Sequence, residues 1–172
     1  MAWTTPTIRS AGDAILASDQ NIWVNDLIDL RAVLANTKQT HKTDQWQSAL
    51  SLAYQDVTGL SVSITPTSNT SKILVMATVH TSSTINAGSL FLGQIKRGAT
   101  TLPFQSAATQ TGNTSWAILN FCYLDSPATT SATTYQFSIY NTNMATNYAY
   151  VNTRGDAGST ATSSITVREI PV

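Results

Sequence analysis

Lys72-Ile-Leu-Val-Met-Ala-Thr-Val-His80 is the richest strand signal in the chain. The turn residues 66–69 precede it, and its apolar run predicts a central strand, buried on both faces at its start. Upstream, residues 54–64 hold Val57, Leu60, Val62 and Ile64, the last three in alternation, with Gly59 marking a bulge or bend. Downstream, residues 89–96 carry Leu90, Leu92 and Ile95, and residues 102–105 make a short strand broken at Pro103. Residues 114–124 alternate through Trp116 and Ile118, then Phe121 and Tyr123. Thr134-Tyr-Gln-Phe-Ser-Ile-Tyr140 alternates cleanly through Tyr135, Phe137 and Ile139. Residues 148–152 set Tyr148 and Tyr150 against Ala149 and Val151, and residues 165–170 close the series. About eight strands with turn-rich spacers and no helix between them predict an antiparallel jelly-roll sandwich, because parallel pairing needs crossover helices. No repeat at a fixed period points to a propeller or β-helix.

Upstream of residue 40 the chain changes character. Residues 1–17 read as an extended arm punctuated by Pro6 and Gly12, with Trp3 and Ile8 as apolar anchors. Ser18 is a good helix N-cap, and Asp19 stands in the first turn, where the helix dipole favours an anion. Trp23, Leu27, Leu30 and Leu34 follow at spacings of four, three and four, one apolar stripe on one short α-helix, widened by Ile22, Ile28 and Val33. A helix of this length is marginal alone, so the stripe predicts docking on its own β domain, on symmetry mates or on a partner protein. Residues 36–45 are polar and read as a linker or surface loop. The division expected is an N-terminal arm and attachment helix over 1–45 and a jelly-roll β domain over 46–172.

Charged residues make up only 10% of the 172, with nine Lys/Arg against nine Asp/Glu. Ser and Thr make up roughly a quarter of the chain, which favours extended structure. A nearly uncharged surface offers no repulsion between copies, so self-association is expected. Nucleic-acid binding is not, because it needs clustered Lys and Arg, and the longest basic pairing is Lys96-Arg97, read as a solvated strand end or turn. The single cysteine, Cys122, cannot form an intrachain disulfide and reads as a buried, inert thiol. Met-Ala-Trp-Thr-Thr-Pro lacks the basic start and apolar core of a signal peptide, and no run reaches membrane-helix length. Folding in the cytosol and no membrane partner are expected.

Tyr54-Gln-Asp-Val-Thr-Gly-Leu-Ser-Val-Ser-Ile-Thr-Pro-Thr-Ser-Asn-Thr-Ser-Lys-Ile-Leu-Val75 resembles the opening of small jelly-roll domains in tailed-bacteriophage virion structural proteins. Thr134-Tyr-Gln-Phe-Ser-Ile-Tyr140, Tyr150-Val-Asn152 and Ser163-Ser-Ile-Thr-Val-Arg-Glu-Ile170 are similar to the last strands of C1q/TNF-like jelly-roll heads in phage fibres. Trp3-Thr-Thr-Pro6, Gly12-Asp13, Leu16-Ala-Ser-Asp-Gln-Asn21 and residues 27–30 resemble the attachment segments of such proteins. The resemblance implies a homotrimer and a virion component assembled in the host cytoplasm. It implies either a short tail fiber whose residues 1–35 bind other virion proteins and whose head makes host attachment, or a capsid decoration protein. It brings no catalytic residue and no cofactor.

The residues themselves point away from catalysis. Glu169 is the one Glu, and Asp125 and Asp156 are the only other acids after Asp56, too few to hold two carboxylates across a sugar cleft. No Ser lies in a Gly-x-Ser-x-Gly context for His41 or His80 to serve, and no Gly-rich phosphate loop is present. His41 has no second His or Cys nearby, so no metal site is expected. Arg154-Gly155-Asp156 spells an adhesion tripeptide that turn-rich sequence also produces by chance. Tyr148, Tyr150, Asn147 and Asn152 are the candidate receptor contacts: exposed Tyr rings stack on a glycan and amides bond its hydroxyls. The alternative is that the tyrosines alternate into a core or a trimer seam.

Overall fold

A computed structural model describes residues 36–83, 89–111, 115–142, 147–154 and 160–172. The predicted arm and helix, with Trp23, Leu27, Leu30 and Leu34, lie outside these. The described residues form β1 (Thr37–Lys42), β2 (Trp46–Gln47), β3 (Gln55–Ile64), β4 (Lys72–Ser83), β5 (Leu90–Arg97), β6 (Thr100–Thr109), β7 (Ala117–Asp125), β8 (Thr133–Asn141), β9 (Ala149–Val151) and β10 (Ser163–Ile170).

All pairings are antiparallel. One sheet runs β3-β8-β5-β6. In the other, β4 pairs with β7 along one edge and with β10 and then β9 along the opposite edge. β1 pairs with β10 and β2 with β9. β1 and β2 are therefore one strand interrupted at residues 43–45, and β9 and β10 one strand interrupted at residues 152–162. With those joined, two four-stranded sheets face each other in the order β1/β2, β9/β10, β4, β7 and β3, β8, β5, β6. That is the interleaved connectivity of an eight-stranded jelly roll.

Alternation places the core. Ile73, Val75, Ala77 and Val79 of β4 point inward against Tyr135, Phe137 and Ile139 of β8, and all are buried. Gly93 sits in β5 because a Cβ there would lie 2.8 Å from the Phe121 ring and 3.0 Å from Leu119 and Phe137. Phe121 and Phe137 meet edge to face, with centroids 5.5 Å apart. Asp125, buried at the end of β7, accepts two 2.8 Å hydrogen bonds from Arg97 and one of 2.7 Å from the Tyr135 hydroxyl. Burial, reinforced by that carboxylate, pushes the Tyr135 phenol far above its ordinary range.

Several expectations change. Residues 36–45 are not a linker, because Thr37–Lys42 is fully paired with β10, so the sheet begins before residue 46. β4 is central, as expected, but at its start only its inward face is buried and Leu74 and Met76 are half-exposed. β6 runs ten residues and tolerates Pro103 because it is an edge strand. Gly59 does mark a bulge, with φ +81° and a register shift between Asp56 and Ser61. Arg97 is an ion-pair donor to Asp125 and Lys96 bonds Asp56 at 2.7 Å, so neither is simply solvated. Cys122 is exposed, because inward alternation in β7 falls on Ala117, Leu119 and Phe121.

Candidate functional site

The two ends of β4 differ in chemistry. At its start the chain enters the sheet: the Glu169 amide donates to the Asn36 carbonyl at 3.1 Å. The Glu169 carboxylate is buried and accepts from the Thr67 amide at 2.8 Å, from the Thr67 hydroxyl at 2.7 Å and from the Asn36 side-chain amide. Burial opposes its charge, but hydrogen bonds from Ser71, Thr67 and Asn36 outweigh that and hold the carboxyl below its usual range.

At the other end, roughly 30 Å along β4, the excursion of residues 152–162 leaves the sheet. Asn152 anchors it. Its φ is +63°, a conformation Asn adopts more readily than most residues. Its amide donates to the Lys42 carbonyl at 2.6 Å and to the Asp44 carbonyl at 3.1 Å. Its side-chain oxygen accepts from the Ser163 hydroxyl at 2.6 Å. Its backbone bonds His80 and Ala161, both at 3.1 Å. The feet of the excursion stand on β4: Ser82 donates to the Thr153 carbonyl at 2.7 Å, and a His80 ring nitrogen lies 3.1 Å from the Thr162 carbonyl.

Two aromatic pairs flank those feet. Tyr148 and Tyr150, with centroids 6.3 Å apart, stand on the β9 side and are half-buried. His80 and Trp116, with centroids 6.0 Å apart and nearly perpendicular, stand toward β7. Tyr150 lies opposite Gln47 and Ser82 in register, on the outer face of its sheet.

Of the sequence candidates, then, Tyr148 and Tyr150 are partly accessible. Asn147 and Asn152 are buried, and the Asn152 amide is consumed by the fold, so it is not placed to meet a receptor. Sequence reading missed the pairing of His80 with Trp116: His80 stands on the outward parity of β4, and Trp116 immediately precedes β7. Among the described residues no three His, Cys, Asp or Glu side chains gather into a metal-holding group.

No family model matches this chain, and no curated protein matches it. Solved structures resemble it loosely. An infectious bursal disease virus VP2 subviral particle aligns with a TM-score of 0.41 at 10% identity, covering 80% of this chain and 38% of that one. The Gt strain of the same virus gives 0.43 and 10%, covering 79% and 38%. A viral particle of that virus gives 0.42 and 11%, covering 76% and 34%. This chain thus spans well under half the length of those chains.

Proposed function

We propose that this chain is a non-enzymatic structural protein of a phage virion, a short homotrimeric fibre that attaches by residues 1–35 and displays its jelly-roll head to a host surface glycan. One observation carries the reading: the aromatic pairs Tyr148–Tyr150 and His80–Trp116 frame the excursion at the end of β4 remote from Asn36, where the N-terminal segment joins. Attachment at one end and recognition at the other is the division of labour a fibre needs. Half-exposed rings beside backbone amides and hydroxyls suit the apolar face and hydroxyl edge of a sugar. The segments quoted above that resemble phage virion proteins point the same way.

The double variant Tyr148→Ala/Tyr150→Ala, read by glycan binding and by adsorption of virions to host cells, tests this. Loss of binding with unchanged oligomer mass and melting temperature is expected. Binding at the wild-type level would overturn the glycan-binding role. A monomer by light scattering at micromolar concentration would overturn the trimer.

Capsid decoration is the second reading, favoured by the exposed Ile118 and Leu124 on the outer face of β7, which suit a broad contact. Imaging that places the chain at capsid three-fold positions, away from host contact, would decide for it.

A further inference from the structure

The outer face of the sheet formed by β10, β4 and β7 carries a cluster of apolar side chains on β4 and β7 among polar ones. Ile118 is 45% exposed and Leu124 44%. Cross-strand register sets Leu124 beside Leu74 and Cys122 beside Met76. Beside Met76 and Cys122 lies a shallow groove of about 330 Å³ whose outward lining is completed by Thr78, Asn120, Ser164 and Thr166, with the Thr78 hydroxyl donating to Asn120 at 3.1 Å. The outer face of the opposite sheet carries instead the Asp56–Lys96 ion pair, the Ser63–Thr134 hydroxyl contact and the Gln136 amide bonded to the Val57 and Leu60 carbonyls.

Where the N-terminal segment joins decides what covers this face. Asn36 is bonded to Glu169 at the edge of the same sheet, one strand from β10. Residue 34 can lie no more than about 7 Å from it. From Leu34 back to Trp23 a helix advances about 16 Å. The centres of β10 and β7 lie about 10 Å apart across the sheet. The stripe is thus long enough to cross all three strands. Charge is complementary as well. Residues 1–35 hold four Asp and two Arg, while the remaining residues hold seven Lys/Arg and five Asp/Glu. On the strands of this face the outward charges are Lys72 and Arg168, both positive, and the outward His41 and His80 add no acid.

We infer that residues 18–35 fold back as a helix on the β10-β4-β7 face of their own chain, seating Trp23, Leu27, Leu30 and Leu34 on Leu74, Met76 and Leu124. Residues 1–17 are then the part left to reach a partner. A helix seated there leaves the proposed glycan site at the far end of β4 untouched and competes with a capsid contact through Leu124, which it would cover.

Cys122, the single cysteine, is the probe, used in the full-length chain. Its thiol is expected to react with a soluble disulfide reagent about tenfold or more slowly than in Leu27→Asp/Leu30→Asp, whose helix is released. Near-ultraviolet circular dichroism checks that the head of the variant is intact. Equal rates in the two proteins would overturn the inference. A second arm does not depend on the Asp variant: Trp23→Cys and Leu27→Cys, oxidised mildly, are expected to give a disulfide to Cys122 within one chain. A disulfide joining two chains would assign the face to a second copy, and no disulfide from either position would leave it uncovered. Either result overturns the inference.

Discussion

The Asn152 side-chain amide donates to the Lys42 carbonyl at 2.6 Å, and this contact joins the two strand interruptions of the jelly roll. β1/β2 breaks at residues 43–45 and β9/β10 at residues 152–162, side by side in the sheet. Asn152 supplies from its side chain the donors that an unbroken ladder would supply from its backbone.

Asn152→Ala takes those donors from the Lys42 and Asp44 carbonyls and the acceptor from the Ser163 hydroxyl, while keeping a positive φ that Ala resists. A loss of about 2–4 kcal/mol is expected, read by urea denaturation. Asn152→Asp sets a carboxylate against two carbonyls and is expected to be no milder at pH 7. A variant within 0.5 kcal/mol of wild type (about the scatter of ordinary surface changes) would remove Asn152 from this role.

Asp125 predicts an asymmetry. Tyr135→Phe deletes one neutral donor and is expected to cost about 1–2 kcal/mol. Asp125→Ala strands the partly buried Arg97 guanidinium and is expected to cost about 3–5 kcal/mol. Comparable costs would contradict the geometry.

Acid should weaken the fold. Glu169 is held below its usual range by Ser71, Thr67 and Asn36 against the cost of burial. Asp56 is held low in the same way: burial opposes its charge, but hydrogen bonds from Lys96 and Ser138 prevail. A depressed folded-state value gives stability that is complete above the unfolded-state value, near 4.3 for Glu and 3.9 for Asp. That stability disappears as pH falls through the lower folded-state values. The melting temperature is therefore expected to drop steadily below about pH 4.5, and Glu169→Gln should flatten that slope. An unchanged slope in Glu169→Gln would assign the acid response elsewhere.

Gly93→Ala drives a methyl to 2.8 Å from the Phe121 ring in a packed aromatic cluster. A loss of about 1–3 kcal/mol is expected, with a changed near-ultraviolet dichroism signal from the displaced rings. A neutral result would mean that β5 can move away from β7 at little cost.

Alternation made the sheets legible: Tyr135, Phe137 and Ile139 were read as one alternating set, and the core buries all three, whereas the apolar run of β4, read as buried on both faces at its start, hides only Ile73, Val75, Ala77 and Val79 along that stretch. The count of eight agrees only because two misreadings offset each other: β9 and β10 were read as two strands though they continue one another along β4, and β1/β2 went uncounted because residues 36–45 read as a linker. Less legible were features whose partners are distant in sequence. Thr37–Lys42 looks like a polar loop because much of its face is wet, and only pairing with β10 reveals it as a strand. Asn152 looked like a surface amide because no local pattern announces hydrogen bonds reaching back 110 residues to Lys42. In β7 the alternation read through Ile118 and then Phe121 and Tyr123 gave no single face, and the structure buries Ala117, Leu119 and Phe121 while Ile118 stays exposed.

The anchoring of the excursion has an evolutionary consequence. Its feet are fixed by Asn152, Thr153, Thr160 and Ser163, through bonds to His80, Ser82, Lys42 and one another. Those bonds lie among the described residues on either side of residues 155–159, and they pin the ends of β9 and β10 to β4 and β1. With both feet pinned in this way, a change of length between them is expected to leave the sandwich unaltered. A peptide inserted after Gly155 is expected to leave the melting temperature within a few degrees. A head anchored in this way would then take up new sequence between its feet without re-pairing its strands.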